Sequence, residues 1–251
     1  MPGMRIVTLL TDFGTADGYV GEMKGVIATE APGVQLVDIT HDIPAQDVDG
    51  ARLSVARYWR RFPAGTIHLI VVDPGVGGAR APIAVESEGR WLVGPDNGVL
   101  SPALLHPGAR WVELPIPAGA AATFHGRDVF APAAAALARG APLDDIGRPR
   151  TDPVIRRTPE AVRAADGSVS GVVISIDRFG NAITNLVAAR GGTIRVAGRM
   201  LPVRRTYSDA ARGEVLALVG SNGLVEVAVR EGNAAAQLGL ERGMAVSLVS
   251  G

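Results

Sequence analysis

The apolar run from Ile67 to Val72 constrains the fold of this chain more than any other stretch. Only His68 interrupts it, and it ends in Asp73, which a proline and three glycines separate from Arg80. Strands of a parallel sheet are covered on both faces and therefore read as continuous apolar runs. Ligands of open α/β sheets bind beyond the carboxyl ends of such strands. The stretch thus predicts a buried strand with a site at its end, although an ordinary turn with a surface Asp–Arg pair also fits.

Alternating strands and helices are predicted before this run. They cover Arg5–Leu10, Tyr19–Ile27, Val34–Ile39 and Asp47–Arg60. This order indicates parallel strands joined by right-handed crossovers, and Asp17 is expected to be the N-cap or a first-turn acid of the first helix. Polar residues follow all three strands: Asp12 the first, His41 and Asp42 the second, and Asp73 the third. Because parallel strands end at one edge of a sheet, these side chains are expected to converge on one crevice.

The second half of the chain differs in composition and in the spacing of its apolar segments. Residues 140–167 are rich in Pro, Arg and Asp without apolar periodicity, which is typical of a linker. Short apolar segments separated by Gly, Asn or Ser follow, and they predict a small antiparallel barrel or sandwich. The predicted strands are Val169–Ile176, Ile183–Val187, Thr193–Val196, Val215–Val219, Leu224–Val229 and Met244–Val249. We therefore expect an α/β domain over residues 1–160 and a β domain over residues 168–251.

Composition excludes several classes of function. Basic and acidic residues balance at 25 each and aromatic residues make up only 4% of the chain, so neither a nucleic-acid surface nor an acidic partner is expected. No cysteine is present, which removes disulfides and thiolate chemistry. The four histidines lack metal-ligand spacing, so no metal is expected. No apolar run approaches the roughly 20 residues of a membrane span, and a cytoplasmic protein is predicted.

Six ordered motifs together resemble one known family. They are Thr11-Asp12-Phe13-Gly14, Asp38-Ile39-Thr40-His41-Asp42-Ile43, Asp73-Pro74-Gly75-Val76-Gly77, Gly94-Pro95-Asp96-Asn97-Gly98, His125-Gly126-Arg127-Asp128 and Asp177-Arg178-Phe179-Gly180-Asn181. The family is the S-adenosyl-L-methionine (SAM) hydroxide adenosyltransferases, the SAM hydrolases, which are related to fluorinase and chlorinase. The resemblance implies an amino-terminal α/β sandwich with a mainly parallel sheet and a carboxyl-terminal antiparallel β-barrel. It also implies a homotrimer with sites between subunits, and SAM as substrate with no cofactor.

The resemblance assigns roles in the first domain to four residues. Asp73, Arg80 and His125 match the family's hydroxide-generating triad, and Asp12 matches the carboxylate that holds the ribose diol. Water is a poor nucleophile because its pKa of about 15.7 keeps hydroxide scarce. Arg80 lies beside Asp73 in this motif, so we favour electrostatic stabilisation of a hydroxide over simple deprotonation by Asp73.

Four residues of the second domain match substrate contacts of the family. Phe179 and Asn181 match adenine contacts, one by stacking and one by hydrogen bonding. Asp177 and Ser221 match groups that hold the amino acid moiety of methionine. Read without the resemblance, the Asp177 stretch and the turn that contains Ser221 are also compatible with plain β-turns.

Within this family, the sequence resembles the hydrolases rather than the halogenases. The halogenases resemble one another in having a tyrosine at the position that corresponds to Asp73, and they have a residue other than histidine at the position of His125. The chain also has Gln46 where those enzymes place a tryptophan and Asn222 where they place an arginine. The expected reaction is hydrolysis of SAM to adenosine and L-methionine. A halide-using adenosyl transferase and a non-catalytic adenosine- or SAM-binding module remain the alternatives.

Overall fold

The computed structural model describes residues 5–188 and 191–249. The chain divides into two compact units, residues 1–156 and residues 157–251. The first is a sheet with helices on both faces, and the second is a closed barrel, so the predicted α/β-plus-barrel fold class is confirmed. Over the described ranges, none of the helices has the length and apolar character needed to span a lipid bilayer.

The first unit is built on one seven-stranded sheet. Its strands are β1 (Ile6–Thr11), β2 (Gln35–Thr40), β3 (Ile67–Val71), β4 (Pro82–Ser87), β5 (Arg90–Pro95), β6 (Arg110–Glu113) and β7 (Arg148–Pro149), and its helices are α1 (Tyr19–Glu30), α2 (Val48–Tyr58), α3 (Ser101–Leu104), α4 (Ala131–Arg139) and α5 (Leu143–Ile146). The strand order is β2-β1-β3-β5-β4-β6-β7. Only β4 and β7 run against the other five strands, so the sheet is mainly parallel.

Strand β3 explains the continuous apolar run. Ile67, Leu69 and Val71 face the core that contains α1 and α4, whereas Ile70 and Val72 face the core that contains α2 and α3. Both faces are therefore covered, as the sequence predicted. The remaining position, His68, is fully buried, and its Nδ1 lies 2.8 Å from Thr8 Oγ1 on the neighbouring strand β1.

Two predictions about helix starts had different outcomes. Asp47 caps α2, because its side chain accepts a hydrogen bond from Gly50 N at 2.9 Å. The prediction that Asp17 is the N-cap or a first-turn acid of the first helix is wrong, because Asp17 lies before the N-cap. Gly18 occupies the N-cap position of α1 in a left-handed conformation, with φ 77°, and no side chain caps that end. A glycine adopts this conformation without steric penalty, and the helix consequently begins without a side-chain cap.

Part of the predicted linker belongs to the first unit. Strand β7 pairs with β6, and Val154 N and Arg156 N donate hydrogen bonds to Asp96 and Ser101. Composition alone suggested a free segment. Residues 148–156 make their contacts through backbone groups and arginines rather than through an apolar face, so they leave no apolar periodicity in the sequence. Residues 148–156 are therefore anchored rather than free.

The second unit is a seven-stranded barrel with one short additional strand. Its elements are β8 (Val162–Arg163), β9 (Val169–Ile176), β10 (Ala182–Thr184), β11 (Thr193–Val196), β12 (Arg199–Arg204), β13 (Val215–Val219), β14 (Val225–Val229), α6 (Ala234–Leu238) and β15 (Ala245–Val249). The order is β10-β14-β13-β12-β11-β15-β9-β8, and pairing of β10 with β9 closes the ring. All pairings are antiparallel except β12 with β13. The sequence missed β12, whose two arginines and proline do not resemble a strand.

Candidate active site

The loop from Asp73 to Arg80 leaves the carboxyl end of β3 and returns to β4. Two successive turns fold it, because Val76 N donates to Asp73 O and Gly78 N donates to Gly75 O. A Cβ atom at Gly75 would lie 3.1 Å from Arg80 Cγ, so the arginine stem packs against a position that a larger residue would crowd. The loop thereby turns the Arg80 side chain back toward Asp73.

Arg80 links the carboxylate to the imidazole of His125. Its Nε donates a hydrogen bond to Asp73 Oδ1 at 2.9 Å and its Nη2 donates to Asp73 Oδ2, which makes the pair bidentate. The same Nη2 lies 2.9 Å from His125 Nδ1. The side chains of Arg80 and Asp73 are only 9% and 5% exposed, and the guanidinium carbon lies 5.3 Å from the centre of the Phe130 ring. The three side chains therefore form one contiguous and nearly dry cluster.

One nitrogen of this guanidinium has no protein partner. Arg80 Nη1 is buried, and no acceptor for it exists among the residues that the structure describes. A buried donor that lacks an acceptor is energetically costly, so such a group calls for a water molecule, an anion or a ligand oxygen. The cluster thus presents an unused, positively charged donor.

The hydrogen bond to Arg80 determines the protonation of His125. A guanidinium can only donate, so His125 Nδ1 must accept, and we assign the ring proton to Nε2 on this ground. Burial of the ring lowers the pKa of His125, and the positive charge of Arg80 lowers it further. His125 is therefore a neutral ring that offers an N–H donor from Nε2.

A π-helical turn, Gly126–Phe130, follows His125 and continues into α4. Such wide turns are rare and occur frequently at functional sites. Gly126 allows it to lie against α1, because a Cβ there would be 3.2 Å from Met23 Sδ. Asp128 holds the preceding loop by accepting a hydrogen bond from Ala121 N at 2.8 Å. His125 is thus placed by a local backbone distortion that periodicity in the sequence does not reveal.

Asp12 lies at the same edge of the sheet. Thr11 is paired with Val71 across β1 and β3, so Asp12 and Asp73 both follow the carboxyl ends of adjacent parallel strands. Asp12 Oδ2 accepts a hydrogen bond from Gln46 N at 2.8 Å. Gln46 has φ 67°, a left-handed conformation that non-glycine residues adopt at an energetic penalty. This strained backbone fixes the carboxylate.

Of the two polar residues that follow β2, His41 contacts the loop that carries Asp12. His41 is buried, with Nδ1 2.9 Å from Thr11 Oγ1 and Nε2 3.2 Å from Asp38 Oδ1, and its carbonyl accepts a hydrogen bond from Gly14 N. Burial raises the pKa of Asp38, but the hydrogen bond from Lys24 and the neighbouring imidazole of His41 outweigh this effect and lower it overall. Asp42 is exposed. His41 therefore braces the loop that carries Asp12, whereas no hydrogen bond or ion pair among the described residues joins the side chain of Asp42 to the cluster.

In the second unit, residues 177–181 form a tight turn between β9 and β10. Asp177 Oδ1 accepts hydrogen bonds from the backbone N–H groups of Phe179 and Asn181, both at 2.9 Å, and Oδ2 accepts from Asn181 Nδ2 at 3.0 Å. Gly180 has φ 81°, and a Cβ there would collide with Asn233. The ring of Phe179 remains 74% exposed. The turn therefore holds an aromatic surface next to a fixed amide.

A cavity of about 390 Å³ lies beside this turn within the barrel unit. Phe179 and Asn181 line it together with Tyr207, Val229, Glu231 and Gly232. Tyr207 donates a hydrogen bond from its hydroxyl to Glu226 at 3.2 Å, and burial together with Glu226 raises the pKa of this tyrosine. Sequence reasoning missed Tyr207 and Glu231, although a tyrosine in a chain with so few aromatic residues is a usable signal.

Ser221 lies in the turn between β13 and β14 and is exposed. Gly223 N donates to Gly220 O within that turn, and Asn222 Oδ1 accepts from Leu224 N. Within residues 5–188 and 191–249, no hydrogen bond joins Ser221 to the Asp177 turn. The structure therefore brings Asp177, Phe179 and Asn181 together but does not bring Ser221 into contact with them.

No group of three or more histidine, aspartate or glutamate side chains in the described part of the chain is arranged to hold a metal ion. The polar clusters described above instead consist of an Asp–Arg–His set and a separate Asp–Asn turn with an exposed aromatic ring.

Comparisons with known proteins agree along nearly the whole chain. Residues 7–147 match the SAM hydroxide adenosyltransferase N-terminal domain, and residues 171–247 match the corresponding C-terminal domain. A protein of Thermus thermophilus named (R)-S-adenosyl-L-methionine hydrolase is 45% identical, over 98% of this chain and all of its own length. A protein of the same name from Salinispora tropica is 40% identical, over 98% of each chain. A fluorinase of Actinoplanes sp. is 27% identical, also over 98% of each.

Two solved structures have the same fold. A conserved hypothetical protein of Thermus thermophilus is 43% identical with a TM-score of 0.83, covering 98% of this chain and 100% of that one. An uncharacterised conserved protein of Thermotoga maritima is 30% identical with a TM-score of 0.87, covering 97% and 100%. With both family domains matched in order and relatives at 40% identity or more at full length, this chain belongs to the SAM hydroxide adenosyltransferase family.

Proposed function

We propose that this protein hydrolyses SAM to adenosine and L-methionine, with Asp73, Arg80 and His125 as the catalytic residues. One observation carries the proposal: a nearly buried arginine holds a carboxylate and a neutral histidine, and its Nη1 has no acceptor among the described residues. Three relatives named (R)-S-adenosyl-L-methionine hydrolase are 40–45% identical to this chain over 98% of it, and another of that name is 34% identical over 73% of it. Three fluorinases are 27–28% identical.

The reaction requires an activated oxygen nucleophile and little else. The oxygen forms a bond to C5′ of the ribose while the C5′–sulfur bond breaks. The electron pair of the broken C5′–sulfur bond passes to sulfur. The sulfonium thereby becomes the neutral thioether of methionine, and the water that was consumed leaves one proton in the solvent. Because the leaving group is already activated, the electron balance needs no redox partner. We therefore expect no cofactor besides the substrate itself.

Arg80 supplies the donor that a hydroxide needs. Its Nη1–H has no acceptor among the described residues, because the other contacts of the guanidinium are made to Asp73 and His125. His125 Nε2–H lies on the opposite side of the ring from Nδ1, so it offers a donor to another atom of the substrate or its water rather than to the same oxygen. A charged donor in a site with little water stabilises developing or full negative charge far better than it does in bulk solvent. Asp73 orients the guanidinium through two bonds, so its role is electrostatic and geometric, and His125 donates a hydrogen bond rather than removing a proton.

Asp12 is proposed to hold the ribose. A carboxylate has about four lone-pair positions, and the bond from Gln46 N uses one of them. Two vicinal hydroxyl groups present two donors that the same carboxylate can accept. Its place beside Asp73 at the sheet edge supports contact with the sugar whose C5′ carbon reacts.

The turn in the barrel unit is proposed to hold the rest of the substrate. Phe179 offers an exposed ring for stacking with adenine, and Asn181 offers an amide held by Asp177 for hydrogen bonding. Asp177 has three bonds to its own turn and can accept a further one from the ammonium group of methionine. Ser221 is proposed as a second contact with that amino acid moiety, on the family resemblance alone.

Three further proposals follow, the first two from the family resemblance and the third from the composition. Residues 1–160 form the domain that activates water, and residues 168–251 form the domain that contacts adenine and methionine. The protein assembles as a homotrimer whose sites lie between subunits. It acts in the cytoplasm on a small molecule and binds neither nucleic acid nor membranes, which is consistent with its balanced charge and absence of cysteine.

The test is incubation of the purified protein with SAM in ¹⁸O-labelled water. Mass spectrometry is expected to find one ¹⁸O in the 5′-hydroxyl of adenosine and none in methionine. Unlabelled adenosine would contradict direct attack by water. Formation of 5′-chloro-adenosine or 5′-fluoro-adenosine with added halide would favour the halide-using alternative, and binding of SAM without turnover would favour the non-catalytic module.

A further inference from the structure

The motif Gly94-Pro95-Asp96-Asn97-Gly98 has no part in the site described so far, yet it contacts both ends of the Asp73–Arg80 loop. Asn97 Nδ2 donates a hydrogen bond to Val72 O at 2.9 Å, and Asp96 N donates one to Ala81 O at 2.8 Å. Val72 directly precedes Asp73, and Ala81 directly follows Arg80. The motif therefore joins the two points at which the loop begins and ends.

The bond from Asn97 replaces a missing strand partner. Pairing of β3 with β5 ends at Leu69 and Val93, and pairing of β3 with β1 ends at Val71. Val72 lies beyond both ladders, yet the residue is completely buried. A buried carbonyl needs a donor, and the side-chain amide of Asn97 provides it. The backbone just before Asp73 is thus fixed by a side chain rather than by the sheet.

The motif itself is held firmly. A Cβ at Gly94 would collide with Ile70 O, so only glycine allows β5 to approach β3 this closely. Asn97 Oδ1 accepts from Val99 N at 3.1 Å, which sets the orientation of its amide. The segment 150–156 covers the outside: Val154 N donates to Asp96 Oδ1 at 2.8 Å, and Arg156 Nε donates to Asn97 O at 2.9 Å.

We propose that Asn97 is a positioning residue for the Asp73–Arg80–His125 cluster. Its amide fixes Val72, and through it the carboxylate that orients Arg80 against His125. The inference about catalysis rests on the proposed function, but the geometric part stands on the contacts alone. Displacement of a reacting group by about 1 Å can slow an enzyme about a hundredfold, so loss of this bond is expected to affect turnover rather than binding.

The first test replaces Asn97 by Asp. Asn97→Asp keeps the shape and the acceptor for Val99 N, but it places an oxygen instead of an N–H group against Val72 O. We expect kcat for SAM hydrolysis to fall by about ten- to a hundredfold, with KM and the Kd of adenosine changed less than about threefold. The matched control is Asn185→Asp in the barrel, since Asn185 Nδ2 also donates to a carbonyl, Pro159 O, and its Oδ1 accepts from Val172 N. The control is expected to keep kcat.

The second test does not depend on turnover. Burial and, after it, the positive charge of Arg80 lower the pKa of His125, so looser placement of Arg80 is expected to raise that pKa toward its ordinary value of about 6.5. We would measure it by NMR titration of the imidazole in wild type, in Asn97→Ala and in Asn185→Ala, because alanine adds no charge. Asn97→Leu, which has a similar volume and no donor, is measured in the same way and is the variant used if the alanine form does not fold.

The outcomes separate this inference from the proposed function. Wild-type protein without hydrolytic activity would remove the proposed function, and the His125 pKa in the neutral variants would then decide the positioning role by itself. With active wild type, a folded Asn97→Asp that retains kcat within twofold would overturn the inference. An unchanged His125 pKa in the folded neutral variant would overturn it as well, even if kcat fell.

Discussion

Arg80 Nη2 lies 2.9 Å from His125 Nδ1, and this single contact fixes the chemical state of both residues. A guanidinium that donates to Nδ1 requires a neutral imidazole whose proton is on Nε2. The histidine therefore cannot accept a proton at Nδ1 while the bond persists, and it presents only a donor to the site. A general base is thus not the role that this geometry supports, and stabilisation of a hydroxide is.

Replacing Arg80 by Lys is expected to slow hydrolysis by roughly 10²–10³-fold, comparable to the loss of an aimed transition-state donor. Lysine keeps the charge but cannot bond both oxygens of Asp73 and also His125, because it lacks the planar fork. Steady-state kinetics would measure kcat, and calorimetry would measure adenosine affinity, which is expected to persist. Arg90→Lys, whose arginine bonds Phe62 O elsewhere in the sheet, is the control. Retained kcat in Arg80→Lys would contradict this role.

The fall in rate at acidic pH, the acid limb of the pH–rate profile, is expected to follow protonation of the His125 imidazole. Burial and Arg80 lower the pKa of His125, so the neutral ring and its bond to Arg80 persist below the ordinary histidine value of about 6.5. The pH at which half of the histidine-dependent rate is lost should consequently lie below 6.5. In His125→Asn, whose Oδ1 can replace Nδ1 as acceptor, the rate should be lower and this limb absent. His106→Asn is the control, and an acid limb that survives in His125→Asn would disprove the assignment.

Part of this site was predictable because its sequence signals are local. Strand β3 is apolar on both faces, and glycines between Asp73 and Arg80 leave room for a return of the chain. His125 follows from no such signal. It lies 45 residues from Arg80 and is placed by a π-helical turn, so only the family resemblance indicated it.

The features that the sequence did not predict depend on contacts between distant segments and on backbone conformation. Tyr207 lines a cavity formed by chain segments that are distant in sequence, and Asn97 donates a hydrogen bond to a backbone carbonyl 25 residues away in the sequence. Asp17 has the chemistry of a helix cap, but the backbone enters α1 through the left-handed Gly18. Local composition does not contain these distances or dihedral angles.

Asp12→Asn is expected to weaken adenosine binding by about tenfold or more, because hydrogen bonds to a charged acceptor contribute roughly 1.5–3 kcal/mol. The amide retains one oxygen for Gln46 N but cannot accept two ribose hydroxyls with full charge. Isothermal titration calorimetry with adenosine would give the change in Kd. Asp42→Asn removes a nearby exposed carboxylate and should leave Kd unaltered. Equal affinities of Asp12→Asn and wild type would exclude the ribose contact.

Phe179→Leu should also weaken adenosine binding, since stacking on an aromatic ring contributes about 1–3 kcal/mol per base. Leucine preserves apolar surface but not the flat ring, so the loss reports stacking rather than burial. Met200→Leu, at another exposed apolar position of the barrel, is the matched control. Calorimetry of both variants against adenosine provides the comparison, and similar Kd values for the two would argue against a stacked adenine.

His68 is expected to make folding stability depend on pH. Burial lowers its pKa to about 3, whereas the unfolded chain has the ordinary value of about 6.5. Between these values the unfolded state binds more protons, so the free energy of unfolding decreases as pH falls from 6.5 toward 3, by up to ~1.4 kcal/mol per pH unit. Urea unfolding of wild type and His68→Asn between pH 7.5 and 4.5 would measure the difference in slope, because carboxylates contribute equally to both proteins. The slope should be shallower in His68→Asn. Identical slopes for wild type and His68→Asn would mean that the buried imidazole is protonated in the folded protein.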